Sequence, residues 1–268
     1  MKKLFATDLD GTLLNSKHET DDIILNGLKE LMESHYFSIS TGRGLSRVRH
    51  FNFPKGTFYI CFNGALILDD NQNEIAKHPI PKPLIEELLT MDYIPFEFWG
   101  YDTSYSTLSK EDFINYDALR FTAFKNGNRD LDKFLDANIT FNTPKEFILQ
   151  NDILKINIHK RFDIPEIEDI LKKHKDKLVN APSKDEFYEI TAINANKGIA
   201  VQELAQYLNI DSSQVYVYGD SDNDIEMLSR FEHSYCPANG NENAKKASHY
   251  QIGSNVDYSV IHHMLQSK

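Results

Sequence analysis

Aspartates are the residues best placed to do chemistry in this chain. Asp8 and Asp10 stand one residue apart in Asp8-Leu-Asp10-Gly11-Thr12, directly after the apolar stretch Lys3–Thr7. If that stretch is a buried strand, both carboxylates leave at its C-terminal end, the edge at which open parallel sheets bind ligands. Two carboxylates this close make a strongly negative site, which a divalent cation would relieve. Oxygen ligands of this kind suit magnesium. The alternative is a solvated acidic turn closed by Gly11. A calcium loop of the EF-hand type fits less well, because the third acidic position and the terminal Glu are missing at the required spacing. A second cluster, Gly219-Asp220-Ser-Asp222-Asn223-Asp224, also follows an apolar strand pattern, Val215–Tyr218, and opens a helix. Its acidic and amide side chains would repel one another without a cation. A helix dipole alone accounts for Asp222 and Asp224. It leaves unexplained why a second carboxylate cluster recurs at the same edge of the same inferred sheet.

Two further segments carry anion-binding chemistry. Ser40-Thr41-Gly42-Arg43 lies between a strand end and a helix start, where backbone N–H groups and the Thr41 hydroxyl suit a phosphate. A plain helix cap followed by a turn explains the same residues. Asn196-Lys197-Gly198 precedes a helix, and Lys197 there can neutralise carboxylates or hold a phosphate oxygen. By itself it reads as a surface lysine.

The elements that would position these residues follow an α/β rhythm. Lys3–Thr7, Phe37–Ser40 and Phe58–Phe62 read as strands. Asp21–His35 reads as a helix between the first two, with Ile24, Leu25, Leu28, Leu31 and Met32 at helical spacing. A further helix starts near Gly42. The rhythm breaks at Pro79-Ile-Pro-Lys-Pro83, a linker signal. The next hundred or so residues, a usual domain size, alternate aromatic-rich strands (Phe96–Trp99, Arg120–Phe124, Leu154–Ile158) with helices such as Ile164–His174. From Glu186 the α/β pattern resumes: strand Phe187–Thr191, helix Gly198–Leu208, strand Val215–Tyr218 and a helix from Asp222 to Arg230. The expected fold is therefore α/β, a Rossmann-like doubly wound parallel sheet over 1–81 and 186–268, with an inserted α+β unit over 82–185.

Taken together, the order DxDGT, TG, K, GDxxND resembles that of the haloacid dehalogenase superfamily. The chain is similar, over nearly its whole length, to the Cof-type phosphatases of that superfamily. The likeness includes Thr41-Gly-Arg43, Asn63-Gly-Ala65, Tyr188-Glu-Ile-Thr191, Asn196-Lys-Gly198 and Gly219–Leu228, with no departure at a matched position. The resemblance implies a phosphatase of small phosphorylated metabolites, sugar phosphates foremost. It implies Asp8 as nucleophile and Asp10 as acid and base. Magnesium would be held by Asp8, the backbone carbonyl of Asp10 and Asp220, with Asp224 orienting that shell. Thr41, Gly42, Lys197, Asn223 and the Leu9 backbone N–H would bind phosphoryl oxygens. The inserted unit would be a cap that closes over the site and excludes water. Trp99, Tyr101, Tyr105, Tyr116 and Phe121 there are candidate substrate contacts, although residues of this type more often make the cap's own core. Two other readings stay open: a phosphomutase on sugar phosphates, and a catalytically silent phosphosugar-binding protein.

Bulk composition sets the outer limits. The net charge is −11 over 268 residues, which argues against nucleic-acid and anionic-membrane partners, since both need a basic surface. The expected partner is a small phosphorylated metabolite, with the protein a monomer or weak homo-oligomer. Cys61 and Cys236 show neither metal-ligand spacing nor a disulfide framework and read as buried free thiols. With no apolar run of signal-peptide or membrane-spanning length, the expected location is cytoplasmic.

Overall fold

The structure, a computed structural model, describes residues 2–116, 131–160, 164–182 and 187–268. In chain order the strands are β1 Leu4–Thr7, β2 Tyr36–Ser40, β3 Thr57–Cys61, β4 Leu66–Leu68, β5 Glu74–Lys77, β6 Glu97–Trp99, β7 Ser104–Tyr105, β8 Ile139–Thr140, β9 Lys155–His159, β10 Leu178–Asn180, β11 Phe187–Ala192, β12 Val215–Tyr218, β13 His233–Pro237 and β14 Tyr250–Ile252. The chain divides into two compact units, Met1–His78 with Asn194–Lys268, and Pro79–Ile193.

In the first unit the described strands form one sheet in the order β14-β13-β12-β1-β2-β3-β4-β5. From β14 to β3 neighbouring strands run parallel, while β3, β4 and β5 pair antiparallel. The chain leaves β1 toward β2 and β3, then returns on the other side as β12, β13 and β14. The order therefore reverses between β1 and β12, and the crevice outside their carboxyl ends is where such sheets bind ligands. Both strands are short and nearly all apolar because both sheet faces are covered. Leu4, Ala6, Val215 and Val217 pack with Val201, Leu204, Met227 and Leu228 in one fully buried cluster.

The flanking helices start where their caps dictate. The Asp21 carboxylate accepts from the Ile23 and Ile24 amides, each at 3.1 Å, and starts helix Asp22–Met32. The Asn196 side chain accepts from the Ile199 amide at 2.9 Å and starts helix Lys197–Tyr207. Among the described residues, no helix is long and apolar enough to cross a membrane.

The described strands of the second unit form a sheet in the order β10-β11-β9-β6-β7-β8, antiparallel except for the β7–β8 pair. One face buries Phe98, Ile156, Ile158, Tyr188 and Ile190 against Leu84, Leu88, Ile148 and Ile167. Tyr105 packs against that cluster, so it serves the unit's own core. Trp99 is buried as well. Phe121, and the expected strand Arg120–Phe124, lie outside the described residues.

Phe187–Thr191 differs from expectation. The sequence pattern gives it to the parallel sheet and ends the inserted unit at residue 185. β11 instead pairs with β9 and β10, and the second unit runs on to Ile193. The physical reason is visible in its composition. Tyr188 and Ile190 face the apolar side while Glu189 joins Lys155 on the other, at 2.7 Å. A strand in the middle of a parallel sheet would be apolar on both faces.

Candidate active site

β1 and β12 deliver the two acidic clusters side by side. The Asp8 amide donates to the Tyr218 carbonyl at 2.9 Å, which fixes one loop against the other. Leu9–Leu13 turn sharply, and Gly11 takes φ +82°, a conformation open to glycine. A side chain at Gly11 would press on the Asp220 carboxylate. Thr12 Oγ1 donates to Asp220 Oδ1 at 2.7 Å.

Lys197, with 0% exposure, lies at the centre. Its ammonium donates to Asp8 Oδ1 and to Asp224 Oδ1, each at 2.6 Å. Asp224 Oδ2 in turn accepts from the Asp220 and Ser221 amides at 3.0 and 3.1 Å. Both Asp224 oxygens are therefore engaged by protein. Oxygens of Asp8, Asp220 and Asp224 lie within 4.8 Å of one another.

Three carboxylates share one ammonium here, and the charge is unbalanced. Burial pushes the Asp8 carboxyl well above the usual range; Lys197 opposes the rise, and Asp224 and Asp220 add to it. Burial, with repulsion from Asp224, pushes Asp220 up to about 6 against the pull of the Thr12 hydroxyl. Burial works against the charge of Lys197, but Asp224 and Asp8 outweigh it and hold the ammonium more firmly protonated than an ordinary lysine. Surplus negative charge among hard oxygen donors is the chemistry that a divalent cation satisfies.

The Asp10 carboxylate stands outside this cluster. Arg43 grips it with two parallel hydrogen bonds, Nε to Oδ2 at 2.7 Å and a terminal nitrogen to Oδ1 at 2.6 Å, and His18 Nδ1 lies 3.5 Å from Oδ1. Of the metal-side atoms expected of Asp10, only the backbone carbonyl is at issue; its side chain is turned to Arg43. The Thr41–Arg43 loop is held by the Thr41 amide donating to the Ile60 carbonyl at 2.9 Å and the Arg43 amide donating to Thr41 Oγ1 at 3.2 Å. Asn223 Nδ2 donates to Asn63 Oδ1 at 3.1 Å, and Ser221 Oγ donates to Asn223 Oδ1 at 2.8 Å.

The structure thus brings Asp8, Lys197, Asp220 and Asp224 into direct or near contact, and links Thr41, Gly42 and Asn223 through Asn63. Leu9 lies in the same turn as Asp8 and Asp10, with its side chain buried. The partners of Thr12, His18 and Arg43 are absent from the sequence reading. Thr12 and Arg43 belong to recognised motifs, but neither spacing nor residue type names their partners.

A family profile described as haloacid dehalogenase-like hydrolase matches residues 5–265. The chain belongs to the haloacid dehalogenase-like hydrolases. It is a phosphatase of the Cof type within them. YxeH of Bacillus subtilis, named provisionally as a phosphatase, is 30% identical over 278 aligned positions, covering 98% of this chain and 97% of its own. The HMP-PP phosphatase of Serratia proteamaculans is 24% identical, covering 99% of this chain and 95% of its own. Among solved structures, a haloacid dehalogenase-like hydrolase from B. subtilis superposes with a TM-score of 0.78 at 26% identity, covering 98% of each chain. In this hydrolase the matched span takes in both acidic loops and Lys197.

Proposed function

We propose that the chain is a magnesium-dependent phosphatase of small phosphorylated metabolites, sugar phosphates foremost, that carries the phosphoryl group on Asp8. The observation that carries this reading is the meeting of Asp8, Asp220 and Asp224 around the buried Lys197 at the carboxyl edge of the sheet. Asp8, Asp220 and the Asp10 backbone carbonyl would hold the cation. Asp224, with both oxygens already engaged, would orient Asp220 and Lys197. When bound, magnesium supplies positive charge to the transferring phosphoryl oxygens.

The protein groups then divide the work. Lys197, Thr41, Asn223 and the Gly42 and Leu9 amides hold the phosphoryl oxygens. Asp8 Oδ1 accepts from Lys197 and would also serve the cation, while Oδ2 is left for phosphorus. As that oxygen–phosphorus bond forms, the bond from phosphorus to the leaving oxygen breaks, and protonated Asp10 gives that oxygen its proton. Asp10, now a carboxylate, takes a proton from water as the water oxygen bonds phosphorus. The bond to Asp8 breaks, phosphate leaves, and both side chains return to their starting states. Both Asp10 oxygens accept from Arg43 in the arrangement seen, so the acid step requires that pair to open. Two buried free thiols fit action in a reducing cytoplasm.

The test is phosphate release from a panel of sugar phosphates, nucleotides and pyridoxal phosphate, with magnesium or EDTA, for wild type and Asp8→Asn. The expected result is magnesium-dependent release that falls below about 1% in the variant, as with removal of other nucleophiles. Retention of activity by Asp8→Asn would overturn the covalent route. Conversion of a hexose 1-phosphate to the 6-phosphate without free phosphate would replace hydrolysis by mutase chemistry.

A further inference from the structure

The turn between β3 and β4 is built in an unusual way. Phe62, Asn63 and Gly64 take φ of +53°, +57° and +103°, three successive residues in the left-handed region. Glycine is at ease there and asparagine tolerates it, but a phenylalanine does not. Such strain persists where the surroundings impose it. Phe62 and Asn63 are almost wholly buried, at 1% and 2% exposure.

What imposes it is the set of contacts this turn makes. The Phe62 amide donates to the Arg43 carbonyl at 3.1 Å and the Asn63 amide to the Thr41 carbonyl at 2.9 Å. These two bonds pin the loop on either side of Gly42. The Asn63 side chain lies so close to Gly42 that a Cβ there would come within 2.9 Å of Asn63 Oδ1. The same Oδ1 accepts from Asn223 Nδ2. A Cβ on Gly64 would come within 2.5 Å of the Asn196 carbonyl, the residue before Lys197. One strained turn therefore abuts all three segments that the phosphatase reading assigns to the phosphoryl group: 41–43, 196–197 and 223.

We propose that Asn63 is the positioning residue of the phosphoryl-binding site, holding the Asn223 amide and the Gly42 peptide in place through its side chain and its left-handed backbone. The inference rests on the phosphatase reading. Asn63 itself acts through Asn223 and Gly42 and takes no part in bond making.

Asn63→Gly separates the amide from the backbone, since glycine keeps the left-handed conformation at no steric penalty. We expect this variant to fold with a melting temperature close to wild type. KM for the best substrate and the dissociation constant of inorganic phosphate should each rise about tenfold, the scale of one lost hydrogen bond. Asn223→Ala should show a similar rise. The double variant should be no worse than Asn223→Ala alone, because the two side chains act as a unit. Unchanged KM and phosphate affinity in Asn63→Gly would overturn the proposal, as would losses in the double variant that multiply. Calorimetric phosphate binding keeps the two readings apart. A wild type that binds phosphate yet hydrolyses no ester overturns the phosphatase reading, while the variants' phosphate affinities still decide the role of Asn63.

Discussion

Lys197→Met is the perturbation that most directly probes the charge balance of the site. The lysine is fully buried, and its ammonium donates at 2.6 Å to Asp8 and to Asp224. Methionine has similar length and fills the same space without charge, so packing is largely kept. What changes is that three carboxylates, two of them already pushed up by burial and mutual repulsion, lose their only close ammonium among the described residues. Removing one partner of a buried pair destabilises by about 3–5 kcal/mol. At roughly 2–4 °C per kcal/mol for a chain of this size, the melting temperature in EDTA should fall by about 6–20 °C. Turnover should fall by about 10²–10³, the scale of one lost charge-stabilising donor. Asp224→Asn added to Lys197→Met should restore much of the lost stability. The asparagine oxygen still accepts from the Asp220 and Ser221 amides, and its amide group no longer faces an ammonium. By itself, Asp224→Asn should destabilise, because that amide group would then oppose Lys197. Differential scanning fluorimetry of wild type, both single variants and the double variant in EDTA makes the measurement. Lys197→Met within about 2 °C of wild type, or a double variant less stable than both singles, would refute the argument from buried charge.

Three further outcomes are expected. Asp220→Asn should raise the magnesium concentration needed for half-maximal phosphate release, since it deletes one hard oxygen charge from the cluster; a magnesium titration that does not shift removes Asp220 from the ligand set. Burial pushes the Cys61 thiol up to about 12 and Cys236 up to about 11, so neither should react with a thiol reagent at pH 8 until the chain is unfolded, when both should. Burial holds His263 below its usual value of 6.5, so as pH falls the unfolded chain takes up that proton first. Its contribution to stability is complete above about pH 6.5 and is lost as pH drops toward the folded-state value. The fall in melting temperature between pH 7.5 and 5.5 should be smaller in His263→Gln than in wild type.

The fold was legible where one physical constraint acted alone. Short, mostly apolar strands at β1, β2, β3 and β12 mark a sheet covered on both faces, and apolar residues at helical spacing mark the helix Asp22–Met32. β11 was legible as a strand but not in its sheet, because the alternation of Tyr188 and Ile190 with Glu189 fits a half-apolar strand without naming its partners β9 and β10. Asp8, Asp220 and Asp224 were readable as candidates because carboxylates recur at two strand ends, whereas Lys197, fully buried, became one only through the motif order and the family resemblance. That Asp224 spends both oxygens on Lys197 and on the amides of Asp220 and Ser221 depends on helix placement that spacing does not encode.

Arg43 and Asn63 show why the remainder stayed hidden. Each sits in a recognised motif, yet its role is set by residues distant in the chain: Asp10 lies 33 positions from Arg43, and Asn223 lies 160 from Asn63. A sequence can advertise that a left-handed turn is wanted through Asn63-Gly64, because asparagine and glycine tolerate that conformation. It gives no such sign at Phe62, where the residue type argues against the conformation observed. That contradiction is itself informative. Local preference is overruled at Phe62 because its amide is needed by the Arg43 carbonyl, and the neighbouring amide by Thr41. Sites where local preference and tertiary demand disagree are where function is most often concentrated. In this chain one such conflict lies in the turn against which the segments proposed to hold the phosphoryl group are fixed.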